Sequence, residues 1–214
     1  MRSTVDHLVF GSSRLEDGVE FIYERLGVRP EQGGQHRLMG THNKLLSLGN
    51  STYLEVIAID PDAPKPDRPR WFGLDDLETS GEPGLITWVV RTDDIHGALK
   101  KSKLQHGTIE SLHRGIYDWR ISLPYNGGMP MDGIAPTIIR WDGDAHPSQL
   151  LQDSGVSLIN VHAYHPNASE LANSLTAIGF EWESARTIVD VSNSRKLQVK
   201  IKSPKGMTTF EKLI

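Results

Sequence analysis

The order of secondary-structure signals along this chain restricts its fold more than any single motif does. "TVDHLVF", 4–10, reads as a strand, and "RLEDGVEFIYERLG", 14–27, reads as a helix. Val19, Ile22, Tyr23 and Leu26 fall at helical spacing, Ser12 or Ser13 is placed to cap the start, and Gly27 is placed to end it. Three short strand-like runs follow, "GQHRLMG", "NKLLSLG" and "TYLEVIAI", separated by Gly and Asn turn signals. The order then recurs. "GLITWVVRT", 84–92, precedes a helix over roughly 94–104 with Asp93 or Asp94 as its cap, then strand-like pieces near 108–112, 116–123 and 134–141. A third passage runs from "VSLINVHAYH", 156–165, through a helix near 168–178 to "ARTIVDV", "RKLQVKIK" and "MTTFEKLI". A strand, a helix and about three strands, repeated, predict an α+β fold of βαβββ units with curved mixed sheets.

Two connectors divide the passages. Residues 60–84 carry five prolines (Pro61, Pro64, Pro66, Pro69 and Pro83), too many for a tight turn. Such a segment is either a plain connector or a lid in which Trp71 and Phe72 close a pocket. "DGDAHPSQLLQDSG", 142–155, is the best domain boundary. The expected organisation is one domain over 1–150, made of units 4–60 and 84–141, and a third βαβββ-like unit over 156–214.

Composition removes several functional classes. There are no cysteines, so thiolate metal sites, disulfides and a cysteine nucleophile are excluded. With 23 Lys and Arg against 27 Asp and Glu, the net charge is −4, and no basic run suggests nucleic acid. No stretch is apolar enough to suggest a membrane span, and the N-terminus has no signal-peptide core, so a cytoplasmic location is the expectation. No nucleophile elbow, dinucleotide fingerprint or paired-His zinc motif is present.

Within "STYLEVIAID", 51–60, Glu55 sits among Tyr, Leu, Val and Ile. A strand apolar on both faces is covered on both faces, so this carboxylate needs a partner, a proton or a cation. A structural ion pair to Arg140, Arg120 or Lys44 is the plain explanation, and a hydrogen-bonded core histidine is the plain explanation of His7.

The segments "DHLVF", "GTHNKLLSLGNSTYLEVIAIDP" and "RPRWFGL" resemble the glyoxalase-like domains of the vicinal oxygen chelate superfamily. "LITWVVRTDDI" and "DWRISLPYNGGMPMDGIAPTIIRWDGDAHPSQLL" fit the same group, so the likeness covers roughly 4–150 and, more weakly, 156–214. The resemblance implies that two units pair to form an open half-barrel cavity. It also implies that metal-dependent members draw His, Gln or Glu ligands from the first and last strands of each unit. His7 and Glu55 match the first and last strands of unit one, as catalytic groups and as ligands for Zn, Ni, Fe or Mn. Aligning "VDHLVF" with "LITWVV" puts Thr87 in the place of His7. The matching last strand offers Thr137, Ile139 or Arg140, so the four-ligand pattern is half present.

Other candidates are His42 and Asn43 for a substrate oxygen, and Trp119, Arg120 and Arg140 for binding, with Arg suited to a carboxylate or phosphate. His36 is a further histidine near the cavity strands, and His162 with Glu211 is a similarly spaced pair in unit three. The expectation is a glyoxalase-like protein with a small-molecule cavity, one reading of which is a divalent-metal-dependent enzyme of lyase, isomerase or dioxygenase type. The alternative is a metal-free small-molecule binding or sequestering protein, and a third reading is a structural module. A homodimer is expected, because an unpartnered third sheet needs a cover.

Overall fold

The computed structural model describes the backbone of residues 1–214 and every side chain except those of Gln32, Glu78, Thr79 and Ser80. Unit one consists of β1 (Ser3–Gly11), α1 (Leu15–Leu26), β2 (Glu31–His36), β3 (Thr41–Ser47) and β4 (Tyr53–Ile59). The Pro-rich connector contains a short turn at Trp71–Gly73 and α2 (Leu74–Ser80). Unit two repeats the order with β5 (Gly84–Thr92), α3 (Ile95–Lys101), β6 (Thr108–Arg114), β7 (Tyr117–Leu123) and β8 (Thr137–Asp142). Residues beyond 156 form β9 (Ser157–His165), α4 (Ala168–Ala177), β10 (Ile188–Val191), β11 (Lys196–Ser203) and β12 (Gly206–Leu213).

Local chemistry explains the helix ends. Gly27 adopts φ 76° and returns its N–H to the Tyr23 carbonyl, an αL stop that a side chain would strain. Asp94 caps α3 by accepting from the Gly97 N–H at 2.9 Å. The cap expected of Ser12 or Ser13 does not form. Arg14 holds the N-cap position without a side-chain bond, while Ser13 donates to the Gly81 carbonyl. Tyr23, grouped with the apolar stripe by spacing, lies on the exposed side, and Leu15, Gly18, Ile22 and Leu26 make the buried one.

Units one and two form a single eight-stranded sheet in the order β2-β3-β4-β1-β5-β8-β7-β6. The first strands of the two units, β1 and β5, run antiparallel at its centre, and each pairs in parallel with the last strand of its own unit. The sheet curls so far that its edge strands β2 and β6 approach each other, giving a nearly closed barrel. One apolar cluster, with Leu8, Phe10, Ile22 and Trp88, covers the outer face, and a second, with Val9, Ile57, Val89 and Ile121, fills the inner face.

The last unit has the βαβββ order along the chain but a different sheet, β10-β9-β11-β12. Its first strand lies inside the sheet instead of joining the last strand. Its apolar face, with Val161, Val199, Ile201 and Phe210, joins the outer cluster of the first two units. Phe210 meets Phe10 edge-on at 4.9 Å. A second copy is one cover for that face in the sequence reading; in the structure its own chain covers it. Lys212 fastens the seam by donating to the carbonyls of Ile86 and Asp132. Among the described residues, no helix is long and apolar enough to cross a membrane.

Candidate active site

Strand pairing brings His7 and Glu55 into one cavity. β1 and β4 are neighbours, His7 pairs with Tyr53, and Glu55 lies two residues further on, on the same face. Both side chains are buried, at 4% and 6% exposure, and both line an internal cavity with His36, Asn43, Tyr53, Trp71, Arg114, Trp119 and Trp141. Its volume is about 30 Å³, room for a water or two.

Each polar group there is held by another. Asp6 is the extra residue of a β-bulge between Val5 and His7. The bulge breaks the alternation of the strand, and Asp6, itself fully buried, accepts a bond from His7 Nδ1 at 2.6 Å. The other Asp6 oxygen accepts from His146 Nε2 at 3.0 Å and Trp141 Nε1 at 3.1 Å, with Arg91 at 3.5 Å. Burial alone pushes the Asp6 carboxyl up. The bonds and charges of His146 and His7 outweigh it and hold the group well below the usual carboxylate range.

Glu55 is fixed from the opposite side. Asn43 Nδ2 donates to its Oε1, and Asn43 Oδ1 accepts from the Gly34 N–H at 2.8 Å and from Arg114 at 3.2 Å. These two donors set the amide orientation. Gly33, the extra residue of a second bulge in β2, makes the arrangement possible, since a Cβ there would lie 2.1 Å from Asn43 Oδ1.

His36 is neutral. Burial first, then the Arg114 charge, pushes its imidazole well below the ordinary histidine value. Its Nδ1 faces Thr41 Oγ1 at 3.1 Å and its Nε2 accepts from Arg114 Nη1 at 3.0 Å. Burial, followed by the charges of Asp6 and Glu55, raises the Tyr53 phenol well above its ordinary value, so it too stays neutral. Its ring stacks on His7 at 4.6 Å.

The central relation is between His7 Nε2 and Glu55 Oε2, 3.6 Å apart. Asp6 holds His7 through Nδ1, so Nε2 is the ring nitrogen turned toward Glu55. An imidazole nitrogen and a carboxylate oxygen then face each other in a buried space. The pair is stable with a proton on one member, or with a group seated between them, because 3.6 Å is too long for a direct bond.

The donor set does not make a metal centre. His7 pairs with Tyr53, two residues before Glu55; in unit two Val89 pairs with Thr137, two residues before Ile139. On the corresponding strands of unit two, Thr87, Val89, Thr137 and Ile139 stand where unit one has His7 and Glu55, and none is an imidazole or carboxylate. Among the described residues, no group of three or more His, Asp or Glu side chains converges on one point. His36 also lines the cavity, but its Nε2 is taken by Arg114 Nη1 at 3.0 Å, so His7 and Glu55 alone fall short of the three donors that catalytic zinc sites use.

The other candidates divide by parity. Asn43 and Trp119 face the cavity. His42, beside Asn43 on β3, points to the opposite face. Arg120 and Arg140 pair across β7 and β8 on the outer face, where Arg120 makes a two-pronged pair with Asp142 at 2.6 and 3.0 Å and Arg140 approaches the same carboxylate at 3.6 Å. His162 and Glu211 lie on the third sheet, bonded to Asp190 and Gln198. Trp71 and Phe72 of the connector do cover the cavity, stacked at 5.3 Å. Phe72 is held at φ 60°, a conformation uncommon for a bulky residue.

Asp6, Arg114 and His146 were not legible as site residues. For Asp6 the signal was present, a carboxylate beside His7 in an apolar strand; the double glycine at 33–34 likewise marked a bulge. Nothing local distinguishes Arg114, which reaches the cavity only because the barrel edges meet. A wider cleft of about 730 Å³ lies outside, where the third unit meets the barrel, and His146 and Trp141 form part of its wall. The small cavity is the better candidate because its polar groups converge.

The glyoxalase-like domain family matches residues 5–179. No curated protein matches at a significant level. Among solved structures, a hypothetical protein from Staphylococcus aureus aligns with a TM-score of 0.58 at 17% identity, covering 99% of this chain and 85% of that one. A methylmalonyl-CoA epimerase from Mycobacterium tuberculosis aligns with a TM-score of 0.45 at 15% identity, covering 66% of this chain and 89% of that one. With the family match spanning most of its length and two βαβββ units forming one curled sheet, the chain belongs to the glyoxalase-like domain family.

Proposed function

We propose that this protein is an enzyme that moves a proton on a small oxygen-bearing substrate, an isomerase- or lyase-type reaction, with Glu55 and His7 as the acid–base pair. The observation that carries the reading is the facing pair, His7 Nε2 and Glu55 Oε2, each immobilised from behind by Asp6 or Asn43. Such a pair keeps one mobile proton in a low-dielectric space, the condition under which a carboxylate serves as general base and an imidazole as acid. Trp71, Trp119 and Trp141 wall it. The competing reading is a protein that binds a small molecule without turning it over, which the same cavity supports to the same degree.

Deuterium exchange separates the two. A panel of enolisable carbonyl compounds is incubated with the protein in D2O and followed by proton NMR. Glu55-dependent loss of a carbon-bound proton in at least one compound is expected. Exchange that is absent throughout, or unchanged in Glu55→Gln, would overturn the proposal and leave a binding protein.

A further inference from the structure

Two cavity donors are left over once the Glu55–His7 arrangement is complete. Trp71 lines the cavity at 4% exposure, and its Nε1–H is buried with no acceptor among the described residues. Buried indole N–H groups ordinarily find a partner. Arg114 is the second. Its bonds to the neutral His36 nitrogen and the Asn43 oxygen both use Nη1, and no carboxylate among the described residues lies within ion-pair distance. Arg114 is half-buried at the cavity, over the Tyr117 and Trp119 rings at 5.8 and 6.0 Å, and its other guanidinium N–H groups remain available to a ligand. Its five donors form a fork that matches a carboxylate.

The two groups come from different places. Arg114 ends β6 at the barrel seam, where Gly34 of β2 gives it room, since a Cβ there would lie 2.7 Å from Arg114 Cδ. Trp71 comes from the Pro-rich connector and touches His36 edge-on at 5.0 Å, so both groups adjoin the same imidazole. Carbonyl and carboxylate oxygens are the acceptors that satisfy both donors at once. The rest of the wall, Trp119, Trp141, Ile121 and Ile139, suits a compact apolar or planar body.

Resting on the acid–base reading above, we infer that Arg114 and Trp71 form the oxygen-binding side of the cavity and that the ligand is a small carboxylate, its acidic proton toward Glu55 and His7. The ligand enters by displacement of the Trp71–Phe72 segment, because the cavity as it stands has room for only a water or two.

The test uses acetate, pyruvate and benzoate as probes and the uncharged 2,3-butanedione as control. Binding is read by ligand-observed NMR and tryptophan fluorescence on the full chain, and folding by thermal melting. At least one carboxylate binds the wild type and butanedione does not. Arg114→Met removes that binding. Trp71→Phe keeps the ring volume and the melting temperature, yet weakens binding roughly tenfold, the worth of one hydrogen bond in a buried site. No carboxylate binding to the wild type, or equal binding by Trp71→Phe and wild type, would overturn the inference. Glu55→Gln keeps the two proposals apart: it abolishes deuterium exchange while leaving carboxylate binding in place. Exchange lost with binding intact in Arg114→Met refutes the carboxylate role alone.

Discussion

Replacing Asp6 with Asn probes the support of the site most directly. The carboxylate is fully buried and accepts from His7, His146 and Trp141. Asn keeps the shape but removes the charge, and it turns one acceptor oxygen into an NH2 that faces a donor. A hydrogen bond to a charged group contributes about 1.5–3 kcal/mol, so losing those of both imidazoles costs about 3–6 kcal/mol. Breaking a buried charged pair by removing one partner costs about 3–5 kcal/mol, and the two figures agree. For a chain of this length each kcal/mol lowers Tm by about 2–4 °C, so a fall of roughly 6–20 °C is expected. Thermal melts and urea titrations at pH 7 on both proteins supply the comparison. Nitrogen-15 NMR of the histidines supplies the specific readout: the wild type carries the His7 proton on Nδ1, and the variant loses that preference. A loss below about 1 kcal/mol together with an unchanged His7 tautomer would refute the argument that Asp6 sets the acid–base pair.

Three further outcomes follow from particular contacts. Gly33→Ala forces a methyl group against Asn43, and it should cost more than the roughly 1–3 kcal/mol typical of overpacking while freeing the Glu55 carboxylate; urea titration with ligand-observed NMR checks both, and a neutral effect would dismiss the role of the bulge. Burial pushes the His106 imidazole down to about 4 from its ordinary 6.5, so the unfolded chain binds the proton first and stability falls as pH drops through that window, by at most about 3 kcal/mol; His106→Gln should flatten the urea-stability profile between pH 7 and 4, and parallel profiles would reject this. Divalent Zn, Ni, Fe or Mn should leave Tm unchanged, since among the described residues no three His, Asp or Glu side chains are placed to hold one ion, whereas a saturable rise abolished by His7→Ala would establish a metal site.

The outer-face residues give a contrasting expectation, grounded in parity. Trp119 and Arg120 are adjacent on β7, so one faces in and the other out, and the sequence offers no means of choosing. The register does choose: Trp119 pairs with Trp141 and Arg120 with Arg140, and the tryptophans pack into the inner apolar cluster with Val89, Ile121 and Ile139. Arg120→Ala should therefore lower stability by less than about 1 kcal/mol and leave ligand binding untouched, measured by the same melts and titrations.

The βαβββ order was readable from the sequence alone, because apolar periodicity and Gly or Asn breaks are local properties. So was the tension around Glu55, since a carboxylate among apolar β-branched residues needs a partner wherever it folds. The likeness of the first and last strands suggested His7 as that partner; the structure bonds Glu55 to Asn43 and leaves His7 at 3.6 Å. Tertiary structure decided the rest. Strand order is a long-range property, and it separates the last unit, with β9 inside its sheet, from the two that share the barrel. The bulge at Asp6, the approach of Arg114 across the seam and the covering of the cavity by Trp71 each depend on residues far apart in the chain meeting in space. A local pattern carries no record of such meetings, because burial and pairing, not propensity, set their energies.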